Sequence, residues 1–111
     1  MPVLSILNQA KGGLPVSASF EAPLDGPACL MVSGSVWTQT PNEMIGVSLE
    51  LDGVTIGTAS IFSNLASTHR AVVPSFIPFN LTFGAHKITL VASTKATVSD
   101  FNDFYDVVLI Y

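Results

Sequence analysis

The sequence predicts an all-β fold, an antiparallel sandwich of the jelly-roll type, on three observations. Apolar residues recur at every second position, the runs are short and closed by Gly, Pro, Asn or Asp, and no stretch sustains a helical period. With 111 residues the expectation is a single domain over 1–111, with eight to nine strands and no significant helix.

The elements follow in order. Residues 3–7 form the first strand, and 15–21 the second, with Val16, Ala18 and Phe20 on one face. The third, 29–38, sets Leu30, Val32 and Val36 against Met31, Ser33, Ser35 and Trp37 on the opposite face. Residues 45–51 and 54–58 flank Asp52-Gly53, the strongest short hairpin signal, because a type I′ turn needs positive φ at both central residues. This places Leu51 opposite Val54, Leu49 opposite Ile56 and Val47 opposite Thr58. A short strand follows at 69–73. In 76–83, Ile77, Phe79, Leu81 and Phe83 share a face with Pro78 on the other, which reads as an edge strand. After a turn at Gly84-Ala85 come 86–92, with His86, Ile88, Leu90 and Ala92 aligned, and the last strand at 104–111.

Hydrophobic residues make up 49% of the chain and charged residues 11%, where a globular domain carries about 25% charged. A small chain so poor in charge presents apolar surface to a partner, and the usual partner is another copy. The last strand points the same way. Phe104, Val108 and Ile110 lie on one face and Tyr105, Val107, Leu109 and Tyr111 on the other, so both faces are apolar. The second set is expected at an oligomer interface; the alternative is a central strand covered by a loop of its own chain.

Several classes of function are excluded. No apolar run reaches the ~18–20 residues of a spanning helix, so no membrane insertion is expected. Residues 1–8 lack the basic and apolar regions of a secretory signal, which leaves the chain cytoplasmic at synthesis or part of an assembled particle. The lone Cys29 cannot form an internal disulfide and reads as a buried thiol. A net charge of −4 with four basic residues argues against nucleic acid as a partner. Gly-x-Ser-x-Gly, phosphate-loop, dinucleotide and His-Glu-x-x-His motifs are all missing, and the chain is not expected to be an enzyme. His86, directly after a turn, reads as a structural imidazole, and His69 as exposed.

Two features remain as candidate ligand sites. The loop Ser99-Asp100-Phe101-Asn102-Asp103, with Asp106 beyond it, is the densest polar cluster, and Asp100, Asn102 and Asp103 offer oxygens suited to sugar hydroxyls or calcium. The alternative there is a solvated turn whose side chains bond their own backbone. Trp37 is the second candidate, an aromatic ring for the apolar side of a pyranose; the alternative is that it packs at the subunit contact or closes the end of the core. No other cofactor or metal is implied.

The run Gly84-Ala85-His86-Lys87-Ile88-Thr89-Leu90-Val91-Ala92, a polar loop, and Asp103-Phe104-Tyr105-Asp106-Val107-Val108-Leu109 resemble the final two strands of jelly-roll modules. Such modules occur in tumour necrosis factor-like trimers, bacterial lectins, carbohydrate-binding modules and phage tail or capsid proteins, and the resemblance covers about a quarter of the chain. It implies a jelly roll, often a homotrimer around an apolar axis. The functional expectation is a non-enzymatic, oligomeric, lectin-like module that recognises carbohydrate through a multivalent assembly. The alternative is a structural protein of a phage tail, capsid or similar assembly.

Overall fold

The computed structural model describes residues 2–111, which form nine β-strands and no helix. These are β1 (Val3–Lys11), β2 (Val16–Ala22), β3 (Gly26–Val36), β4 (Glu43–Leu51), β5 (Val54–Ser63), β6 (Arg70–Ala71), β7 (Ser75–Leu81), β8 (Gly84–Ala92) and β9 (Phe104–Ile110). One antiparallel sheet runs β1-β9-β3 with β7 and β6 along the far side of β3; the other runs β2-β8-β4-β5. The two stack as a jelly-roll sandwich. The alternating inward residues of both sheets, among them Leu30, Val32, Ile45, Val47, Leu49, Ile88 and Leu90, meet in one core.

The Asp52-Gly53 turn has φ of 52° and 86°, as a type I′ hairpin requires. Its register is correct for Leu51–Val54 and Glu50–Thr55, but Leu49 then pairs with Gly57, not Ile56, and Val47 with Ala59, not Thr58. A bulge at Ile56 inserts the extra residue, and Gly57 lands where a Cβ would strike the Ile77 side chain of the facing sheet. β7 pairs with β3 at an edge of its sheet, with Pro78 opposite Cys29, as the proline predicted. Phe83 does not join the inward row. It lies in the β7–β8 turn, exposed, where its N–H donates to Asp25 Oδ1 at 2.7 Å.

The last strand departs most from expectation. β9 is central, between β1 and β3, and Tyr105, Val107 and Leu109 are completely enclosed by this chain's own second sheet. They are core residues and unavailable to a second copy, while Tyr111 is half-buried against the same core. The outward face of β9 carries Asp106, Val108 and Ile110 instead. Cys29 is likewise on the outer face of β3, half-buried, and not in the core.

At the end of the sandwich that holds the Asp52 turn, a histidine clamp closes the structure. Nδ1 of His86 lies 2.6 Å from Asp52 Oδ2 and Nε2 lies 2.7 Å from the Thr82 carbonyl, both acceptors, so the ring donates at both nitrogens as an imidazolium. Its ring stacks on Phe20 at 5.5 Å. Asp52 Oδ1 also accepts from the Lys87 N–H at 2.9 Å, which ties the β4–β5 turn to β8. The Asp52 carboxylate, then the Thr82 carbonyl, hold His86 above its ordinary value of 6.5; His86, then the Lys87 N–H, hold Asp52 below 3.8. The His86 contribution is therefore complete below pH 6.5 and lost as pH rises through the raised value, and that of Asp52 is lost as pH falls through its lowered value. Stability is expected to fall, read as melting temperature, as pH rises above 6.5 through the raised value of His86. In His86→Gln that slope should flatten; an equal slope in both proteins would remove the clamp as its cause.

Candidate functional site

At the opposite end, four chain segments converge on Asp103, which has no exposed surface. Ser35, near the end of β3, donates its hydroxyl to Asp103 Oδ1 at 2.7 Å. His69, immediately before β6, donates from Nδ1 to the same oxygen at 2.7 Å. The Asp100 N–H donates to Oδ2 at 2.8 Å, and the Asp103 carbonyl accepts from Gly12 N–H at 3.2 Å, which brings in the β1–β2 turn. A buried carboxylate is tolerated only when its oxygens are met by donors in this way. β6 sets His69 here by pairing Ser35 with Ala71 and Val36 with Arg70.

Around this anchor lies a half-exposed polar and aromatic surface. Trp37 continues β3 through a two-bond bridge to Val98, at 2.9 and 2.8 Å, and its ring stands 5.9 Å from that of His69. The Nε2 of His69 lies 3.8 Å from Asp100 Oδ2. Asn102 and Phe101 are exposed beside it, Phe101 at 86% of its surface. The Asn102 N–H donates to Asp100 Oδ1 at 2.9 Å and the Asp103 N–H to the Asp100 carbonyl at 3.1 Å, so the loop has the self-bonded turn geometry that Asp and Asn favour.

Of the expected ligand residues, the structure brings Trp37, Asp100 and Asn102 to one surface and removes Asp103 from it. Asp103 is inaccessible and acts as a positioning residue. Tyr105, just inside, is also enclosed; burial pushes its phenol up, with the Ser99 hydroxyl acting the other way. His69 was read only as exposed, and it proves to link Trp37 to Asp100. No local pattern marks it, because its partner carboxylate is 34 residues away.

The arrangement does not supply a nucleophile. In a serine triad the imidazole takes the serine proton, whereas here the carboxylate stands between Ser35 and His69. As a metal cluster, the ligand atoms of His69, Asp100 and Asp103 fall within 4.8 Å of one another. One imidazole with two carboxylates suits a zinc-like ion better than calcium. Asp103, however, already meets three donors.

No protein-family model matches the sequence, and no curated protein is significantly similar to it. Solved structures are similar in fold. A family 35 carbohydrate-binding module from Cellvibrio japonicus superposes with a TM-score of 0.61 at 14% identity, covering 99% of this chain and 94% of that one. A second family 35 module, in complex with a disaccharide containing glucuronic acid, gives 0.52 at 22% identity over 94% of this chain and 70% of the other. A β-glucosidase from Paenibacillus barengoltzii gives 0.62 at 14% identity over 98% of this chain, which spans only 10% of that enzyme. The likeness thus runs along the whole chain and not only its last two strands, and carbohydrate-binding modules are among the structures it reaches.

Proposed function

We propose that this chain is a non-enzymatic carbohydrate-binding module that takes a neutral sugar residue at the loop end, on Trp37, His69, Asp100, Phe101 and Asn102. The observation that carries this is one aromatic wall beside a hydrogen-bonding pair, with Trp37 5.9 Å from His69 and His69 Nε2 3.8 Å from Asp100 Oδ2. Adjacent hydroxyls of a pyranose can each donate to one polar group and accept from another, while the C–H side of the ring stacks on an aromatic face. Two carboxylates against one imidazole disfavour an acidic sugar. The fold shared with carbohydrate-binding modules supports sugar as the ligand class. A contact of this size is weak for one copy, and display in several copies would raise it through effective concentration.

A glycan array followed by calorimetry tests the reading. Binding to neutral glycans is expected, unchanged by a chelator, and Trp37→Ala or Asp100→Ala should weaken it about tenfold, ~1.4 kcal/mol. Silence across the array, or full binding by both variants, would overturn it.

A further inference from the structure

The two histidines of this chain are held differently. Both nitrogens of His86 meet acceptors, at 2.6 and 2.7 Å. At His69 only Nδ1 does, donating to Oδ1 of the enclosed Asp103 at 2.7 Å. Its Nε2 lies 3.8 Å from Asp100 Oδ2, beyond hydrogen-bonding distance, so no Nε2–H draws that carboxylate in. An uncharged imidazole with its proton on Nδ1 carries a lone pair on Nε2. Asp100 is held in a similar way. Its Oδ1 accepts from the Asn102 N–H at 2.9 Å, while Oδ2 has no donor among the described residues. The Nε2 lone pair and Asp100 Oδ2 therefore stand side by side as two acceptors, with the Trp37 ring 5.9 Å from the imidazole.

We propose that Asp103 sets the specificity of the loop end by fixing the tautomer of His69, so that Nε2 and Asp100 Oδ2 read adjacent sugar hydroxyls as donors. This role presupposes that the loop end binds a sugar. Two acceptors 3.8 Å apart need two hydrogens, and one hydroxyl supplies only one. A neighbouring pair on a pyranose supplies both and leaves the C–H face of the ring for the aromatic wall. A group that only accepts, such as an ether oxygen or a carbon-bound fluorine, meets two lone pairs and is refused. Asp103, wholly buried, touches no sugar itself and acts through His69 as a positioning residue. Replacing it by Asn inverts the pair. The Asp100 N–H, 2.8 Å from Oδ2, can only donate, so the new amide must turn its oxygen there. Its NH2 group then faces Ser35 Oγ and His69 Nδ1. The serine hydroxyl can rotate and accept, but Nδ1 accepts only if the ring proton moves to Nε2. The site then presents a donor where it had presented a lone pair.

Nitrogen NMR of the imidazoles, at about pH 8 where an ordinary imidazole is uncharged, and calorimetry with methyl glucoside, galactoside and mannoside test it on the intact protein. His69 should carry its proton on Nδ1 in the wild type and on Nε2 in Asp103→Asn, whose folding is checked by circular dichroism. An Asp103 with a merely structural role would leave the tautomer unchanged. For a glycoside that binds, removing either contacted hydroxyl should weaken binding about tenfold. The matching deoxyfluoro analogue, which keeps an acceptor and loses the donor, should lose as much. The wild-type spectrum and the fluoro series serve whether or not the variant folds. A proton on Nε2 in the wild type overturns the proposal, as does full binding by the fluoro analogues or an unchanged tautomer in the folded variant. With the tautomers as expected, silence from all of the glycosides overturns the sugar reading of the site instead.

Discussion

Asp103→Ala is expected to destabilise the protein by about 3–5 kcal/mol, lowering the melting temperature by on the order of 10–20 °C. The carboxylate is wholly buried and is met by Ser35, His69 and the Asp100 N–H. Its removal leaves the half-buried Ser35 hydroxyl and Asp100 N–H without their acceptor. Each stranded donor carries its own desolvation cost, so the loss exceeds that of one surface hydrogen bond. Asp103→Asn, which keeps the shape but not the charge, should lose less. Asp100→Ala, with its side chain half-exposed, should cost under about 1 kcal/mol. Urea unfolding of the three variants measures the order. If Asp103→Ala fell within about 1 kcal/mol of wild type, Asp103 would not be the anchor of the loop end.

Gly46→Ala is expected to cost about 3 kcal/mol, from a different cause. Gly46 is buried in β4 opposite Ser60, and a β carbon there would fall on the Ala59 carbonyl oxygen and 2.8 Å from Ser60 Cα. Both are backbone atoms of a paired strand, so the clash is relieved only by parting β4 from β5. Gly57→Ala is the control. The obstruction there is side chain and not backbone, the Cδ1, Cγ1 and Cγ2 atoms of Ile77, so the cost should be about 1–2 kcal/mol. Equal losses at the two glycines would show that backbone proximity is not what limits Gly46.

What the sequence made legible is what period and turn chemistry control. The inward rows Leu30–Val32–Val36 and Ile88–Leu90 and the Asp52-Gly53 turn stand as their alternation implies. Periodicity assigns a residue to a face but does not say which face is covered or by what. For that reason β9, apolar on both sides, had its core face, Tyr105-Val107-Leu109, taken for a contact between copies. The bulge at Ile56 left no mark, since Ile56 suits a strand in either register. The site was half visible. Trp37 and the 99–103 loop stood out by residue type, but His69 enters only because β6 pairs with β3, a contact between residues far apart in the chain. Asp103 is the instructive case, since the residue type that suits a ligand also suits a buried anchor, and only burial separates the two.

The clamp around Asp103 also bears on how such a domain can diversify. Every bond to its side chain comes from Ser35, His69 or its own loop, and none from residues 39–42 or 64–67. Those two segments stand exposed at the rim, and the second is tied down by the Ser67 N–H to Thr38 carbonyl bond, 2.8 Å, and by the Ser63 and Thr68 hydroxyls donating to the Leu65 and Ala66 carbonyls at 2.9 and 3.1 Å. New sequences can be exchanged into them without disturbing the keystone. A library confined to residues 39–42 and 64–67 would explore new recognition surfaces on an unaltered frame, much as antibody loops vary on a constant sandwich.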